Sequence, residues 1–167
     1  LRELESFHQL VGTFVFRSTE LPDLPIEVLL IGDDQTLREL APEYKGRKLT
    51  VDGYYQRGQD RDFIVLSGKV SSRTLTTVAY HELTHYFVSR ARMSPPTWLS
   101  EGLAEYFATA VIQNDEMKVG AIVPAPMQVL RNTPLIPLKE FLAVDGNSPY
   151  YNESFKANVF YSQSWAF

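Results

Sequence analysis

Tyr80-His81-Glu82-Leu83-Thr84-His85 lies inside a run of helix-forming residues. In an α-helix, positions four apart are rotated by about 40° and raised by about 6 Å, so the imidazoles of His81 and His85 project from one face and can grip one metal ion. Glu82 sits about 100° around from His81, badly placed to share that ion but close enough to hold a water bound to it. The stretch therefore supplies two ligands and one base. Zinc suits it best: two neutral imidazoles and a carboxylate, with a fourth position left to water, make a catalytic zinc site, and a chain without cysteine cannot build a closed thiolate one.

The carboxylate has to come from elsewhere. Beyond His85 the chain reads Trp98-Leu99-Ser100-Glu101-Gly102-Leu103-Ala104-Glu105-Tyr106-Phe107, with fifteen residues between His85 and Glu101, and Glu101 and Glu105 again share a helical face through their four-residue spacing. One can bind zinc while the other accepts the free ring N–H of a ligating histidine and fixes its tautomer. Gly102 costs the helix about 1 kcal/mol relative to alanine, which predicts that another backbone packs closely there. The expected neighbour is the His81 helix.

His-Glu-Leu-Thr-His followed by Trp-Leu-Ser-Glu-Gly-Leu-Ala-Glu-Tyr-Phe resembles the gluzincin metallopeptidases, in which an HExxH helix supplies two zinc ligands and a downstream glutamate, often in an EG-x-A setting, supplies the third. The closest likeness is to the bacterial peptidase-MA-like domains, and it runs from about Pro25 to the end. It implies a zincin-like α+β fold, with a small mixed β-sheet packed on the HExxH helix and a mostly helical C-terminal part carrying the third ligand. It also implies His81, His85 and Glu101 as ligands of Zn²⁺, Glu82 as general base, and Glu105 behind a ligating histidine. Phe160-Tyr161-Ser162-Gln163-Ser164-Trp165 resembles the place where zinc aminopeptidases carry a tyrosine at the head of a helix, so Tyr161 is the implied oxyanion stabiliser. Their G-x-M-E-N stretch, which captures a peptide amino terminus, has no counterpart here. The implied action is therefore endopeptidase cleavage of a peptide or protein. Two other readings use the same residues: a zinc hydrolase of a non-peptide amide or cell-wall link, and an interaction module whose zinc only ties two helices together.

Composition agrees with a single globular domain over residues 1–167. The content, 44% hydrophobic and 22% charged, is ordinary for such a domain, and a net charge of −4 without Lys/Arg clusters argues against a nucleic-acid partner. No apolar run approaches the length of a membrane span. The absence of cysteine excludes disulfides without choosing a compartment. The chain opens at Leu1 without a methionine or a signal-like segment, which suggests an excised or processed part of a longer protein. The resemblance leans towards an exported bacterial protein, periplasmic or extracellular. Oligomeric state is not legible.

Around the two motifs, a short helix is expected from Leu1 to Val11, ended by Gly12, then strands at Thr13–Arg17 and Ile26–Ile31 around a proline-containing loop. Asp34 is expected to cap a helix from Gln35 to about Ala41. Leu49–Tyr55 and Phe63–Leu66 read as a hairpin; in gluzincin folds an edge strand of such a sheet pairs with the substrate backbone, and either segment could be that edge. Ser71 or Ser72 should cap a helix to about Arg92, its Leu75, Val78, Ala79, Leu83 and Phe87 stripe facing the core. Thr97 should cap a helix ending near Gln113, followed by a strand from Lys118 to Val123. Pro124, Pro126, Pro134, Pro137 and Pro149 limit the C-terminal part to short helices near Gln128 and Lys139, with a last helix from Asn158 to Phe167. His8, with no partner at ligand spacing, reads as a structural or surface residue. The Tyr54-Tyr55 and Tyr150-Tyr151 pairs read as packing residues and are left out of the site.

Overall fold

The computed structural model describes residues 2–14, 25–91, 94–114 and 116–167. In chain order the elements are α1 (Arg2–Phe14), β1 (Ile26–Ile31), α2 (Asp34–Leu40), a ribbon of β2 (Glu43–Tyr44) and β3 (Arg47–Lys48), β4 (Gly53–Gln56), β5 (Asp62–Ser67), α3 (Ser72–Arg90) and α4 (Thr97–Ala108). A second ribbon comes next, β6 (Val111–Gln113) with β7 (Glu116–Lys118), and then α5 (Pro124–Asn132), α6 (Leu138–Leu142), α7 (Pro149–Asn152) and α8 (Ser154–Ala166). The architecture is α+β, as expected.

The sheet that bears on the site has the order β1-β5-β4, with β1 parallel to β5 and β4 antiparallel to it. Ile64, Val65 and Leu66 of the central strand are all buried, which is why this stretch reads as unbroken apolar sequence. The expected hairpin forms, with Tyr54 opposite Val65, and β4 is left as an edge. Gly53 decides how closely that edge lies on α3. A Cβ there would come within 2.7 Å of Val78 Cγ1 and 2.9 Å of the Val65 carbonyl oxygen, so only glycine fits.

Helix α3 begins as predicted, the Ser71 side chain accepting from the Thr74 N–H. It ends at Arg90, with the Ala91 N–H on the Phe87 carbonyl; the expected end at Arg92 lies outside the described residues. Leu83 and Phe87 are buried as the stripe requires, and so are Tyr80, Glu82, Thr84 and Tyr86 on other faces. A helix covered on most sides belongs at the centre. Phe7 of α1 stacks on Tyr80 with ring centroids 4.1 Å apart, and α4 packs along another face.

Several expectations are corrected. Gly12 does not end α1, which continues to Phe14; a Cβ on Gly12 would lie 3.2 Å from the Phe87 ring, so the glycine serves the α1–α3 approach. Thr13 and Phe14 are therefore helical, and the rest of the strand expected at Thr13–Arg17 lies outside the described residues. Asp33 rather than Asp34 caps α2, accepting from the Thr36 N–H at 2.8 Å. Thr97 is the first residue of α4, not its cap; Pro96 holds that position and offers only its carbonyl. Helix α4 stops at Ala108 because the β-branched Val111 and Ile112 pair with Lys118 and Met117 across a turn at Asn114, whose φ is 52°. The strand expected at Lys118–Val123 is thereby moved back to Glu116–Lys118.

Gly102 does mark a close approach, but to a different helix. A Cβ there would sit 2.5 Å from the Ser164 carbonyl oxygen of α8. Helix α4 packs on α3 with one face and on α8 with another, and Gly102 lies on the second. Short helices occur near Gln128 and Lys139 as expected, and the last helix starts earlier, at Ser154. Trp98, Phe141 and Phe160 pack together in a second apolar cluster that anchors α8. Among the described residues no helix is long and apolar enough to cross a membrane.

Candidate metal centre

Three donor atoms from two helices converge. His81 Nε2 and His85 Nε2 of α3 lie 3.1 Å apart, and Glu101 Oε2 of α4 lies 3.3 Å from the first and 3.4 Å from the second. The four-residue spacing on α3 produces the first distance, and the α3–α4 packing produces the other two. Glu101 is 2% exposed, yet its Oε2 has no hydrogen-bond partner. A buried, unpaired carboxylate oxygen is costly unless a cation meets it.

The shape of the triangle tests which cation. Zinc bonded to nitrogen and oxygen at about 2.0–2.1 Å in a tetrahedron sets its ligand atoms about 3.3–3.4 Å apart. The two edges to Glu101 match that spacing, and the edge between the imidazoles, at 3.1 Å, is slightly shorter. Two imidazoles and one carboxylate also form a donor set that zinc favours. These three side chains fit a zinc ion, and among the described residues they are the one group of His, Asp and Glu so gathered.

The outer nitrogens are held as well. His81 Nδ1 faces Glu105 Oε1 at 3.3 Å, and His85 Nδ1 faces Ser100 Oγ at 3.4 Å. An Nδ1–H given to each of those oxygens leaves both Nε2 lone pairs directed at the triangle. Glu105 thus stands where the sequence suggests. Ser100 is an addition that sequence reasoning misses, since a serine one residue before a glutamate carries no signal of its own. Tyr151 reads from sequence as a packing residue, and here the structure corrects the reading: its hydroxyl donates to Glu101 Oε1 at 3.0 Å. Fifty residues separate the two, so no local pattern could reveal that bond.

Tyr161 stands beside these groups, its ring centroid 6.3 Å from that of His81 and 6.0 Å from that of Tyr151. Glu82, 8% exposed, borders the same space. His8 packs against Tyr86 and Phe87, remote from the triangle as expected.

Burial and charge act on His81, Glu101, Tyr151 and Tyr161. Burial works against a proton on His81, but contacts with Glu101 and Glu105 and the charge of Glu82 outweigh it and raise its pKa. Burial would raise Glu101, and the charges of His85 and His81 hold it well below the usual carboxylate range. Tyr151 and Tyr161 are both pushed up, first by burial and then by the charge of Glu101, so each remains a neutral phenol near pH 7.

Two clefts meet at these residues. One, of about 870 Å³, runs along β4 from Gly53 to Tyr55 towards Ser94. Tyr54 and Tyr55 line it, but their hydroxyls are spent on the Leu40 carbonyl and on Asp62. The other, of about 530 Å³, passes between α3, α4 and α5 and is lined by Val78, Ala108, Ala125 and Val129. Both are bordered by Val51, Gly53, His81, Glu82, Asn158 and Tyr161; His81 thus stands where they meet, while His85 and Glu101 line the first cleft.

Fold and site together give an α+β protein in which two histidines and a carboxylate that could hold a metal ion open on a cleft beside a sheet edge. No protein-family model matches the chain, and no curated protein or solved structure matches it either.

Proposed function

We propose that this chain is a zinc-dependent metallopeptidase of the gluzincin kind with a zincin-like fold, cleaving within peptide chains. The observation that carries the reading is the unpaired, buried Glu101 Oε2 facing two imidazole nitrogens at tetrahedral-edge spacing, on the border of an open cleft. His81, His85 and Glu101 would hold the ion. Bound there, Zn²⁺ lowers the pKa of water towards about 7 and polarises a carbonyl group.

The chain's own residues supply the rest. The edge of β4 offers backbone groups to an extended peptide, which would add to the sheet as a further strand and bring its carbonyl over α3. Glu82 takes the proton of the attacking water and returns it to the departing amine. Tyr161 would offer a hydrogen bond to the carbonyl oxygen, keeping its own proton, as that oxygen gains negative charge. Cleft space on both sides of the site supports cleavage within a chain, because a substrate can continue in either direction. A zinc that merely tied α3 to α4 would need no such space.

Glu82→Gln is the deciding variant. It keeps the volume and the metal ligands, so zinc should bind as before while hydrolysis of a mixed peptide library falls by about 10²–10⁴-fold. Mass spectrometry of the library reads the loss and also reports whether cuts are internal. A Glu82→Gln protein as active as the wild type would sink the mechanism, and a wild type that binds zinc but cuts nothing would sink the enzyme.

A further inference from the structure

The two tyrosines of the site are not equivalent. Tyr151, on the one-turn helix α7, has its single phenolic proton engaged by Glu101 Oε1 at 3.0 Å. A phenol donates one hydrogen bond, so this hydroxyl cannot also donate to a substrate. Tyr161, on α8, stacks against Tyr151, hydrogen-bonds to its hydroxyl and borders both clefts, so its own phenolic proton is shared with Tyr151. Glu101 has two oxygens with different fates: Oε1 receives Tyr151, and Oε2 is left bare towards His81 and His85.

We propose that Tyr151 is a positioning residue that restricts Glu101 to one-oxygen contact with the cation, with Tyr161 bracing the Tyr151 hydroxyl from the cleft side. This role presupposes the metal site of the proposed peptidase. A glutamate free to turn can present both oxygens to an ion, which fills the coordination position that water or substrate needs. With Oε1 tied back, the carboxylate occupies one position. Aromatic packing keeps the bracket in place, since the Tyr151 ring also meets that of Phe160.

The test compares wild type, Tyr151→Phe and Tyr161→Phe, each prepared with chelator and titrated with zinc against a competing chromophoric ligand. Both variants keep the ring and lose only an oxygen, and equal melting temperatures in chelator check that neither disturbs the fold. Tyr151→Phe should bind zinc about 10–100-fold more weakly, whereas Tyr161→Phe, which keeps the bond from Tyr151 to Glu101, should lose less. Loading with Co²⁺ adds a spectroscopic reading: the visible bands of the wild type should have the intensity of a four-coordinate ion, and Tyr151→Phe should show the weaker bands of higher coordination. Wild-type affinity and spectrum in Tyr151→Phe would overturn the role of Tyr151 and leave the metal site standing. Failure of the wild type to bind zinc or cobalt would overturn the site itself, and this role with it.

Discussion

Asp62 shows how a residue far from the chemistry holds the site's floor in place. It is fully buried at the start of β5, where it accepts from the Arg90 guanidinium at the end of α3, from the Tyr55 hydroxyl and from the Gly58 N–H. One carboxylate thus joins the hairpin to the last turn of the helix that carries His81 and His85. Burial acts to raise its pKa, but the bonds from Arg90, Gly58 and Tyr55 win and hold it below its ordinary 3.8. A depressed folded-state value means stability that is complete above that ordinary value and is lost as pH falls through the folded one. Arg90→Ala leaves a buried charge unpaired and should cost about 3–5 kcal/mol near neutral pH. In Asp62→Asn the deficit against wild type should shrink on acidification below about pH 4, which chemical denaturation across a pH series would reveal.

Among elements, the decisive contact is α4 against α8, because it brings Tyr161 to a centre built by α3 and α4. Gly102 permits it, and a methyl group there would meet the Ser164 carbonyl oxygen at 2.5 Å. A rigid backbone atom cannot move aside as a flexible side chain would. Gly102→Ala should therefore push α8 outward and destabilise the chain by about 1–3 kcal/mol, seen as a lower denaturant midpoint. On the proposed peptidase reading, turnover should fall further than zinc affinity, since the proposed ligands stand on α3 and α4 while the hydroxyl that moves is on α8. Equal stability and full activity in Gly102→Ala would show that the α4–α8 approach is not constrained there. The glycine itself is legible as a mark of close packing; its neighbour is not. A glycine in a helix announces that something approaches and carries no information about what.

At the scale of the whole molecule, the site bridges the α3 side and the α8 side of the structure, so filling it should tighten both. A ligand that binds only the folded state stabilises it by about 4 kcal/mol at a thousandfold excess over its dissociation constant. For a chain of this size each kcal/mol raises the melting temperature by about 2–4 °C. Saturating zinc should therefore raise Tm by roughly 10 °C over protein in chelator, and differential scanning calorimetry reads the shift directly. No shift at saturating zinc would contradict a site assembled from α3 and α4.

What the sequence by itself determined was the chemistry that repeats along a helix. His81 with His85, and Glu101 with Glu105, share faces because four residues nearly complete a turn, and that holds for any helix in any fold. The apolar run of β5 and the serine cap of α3 were legible for the same reason, being set by neighbours within a few residues. Only the tertiary structure decided which helix fills the hollow at Gly102, that Ser100 and Tyr151 brace the ligands, and that β4 rather than β5 is the sheet edge at the cleft. Those facts depend on groups as far apart in sequence as Gly102 and Ser164 meeting in space. Contacts at that range arise from how whole elements pack, which no short stretch of sequence encodes.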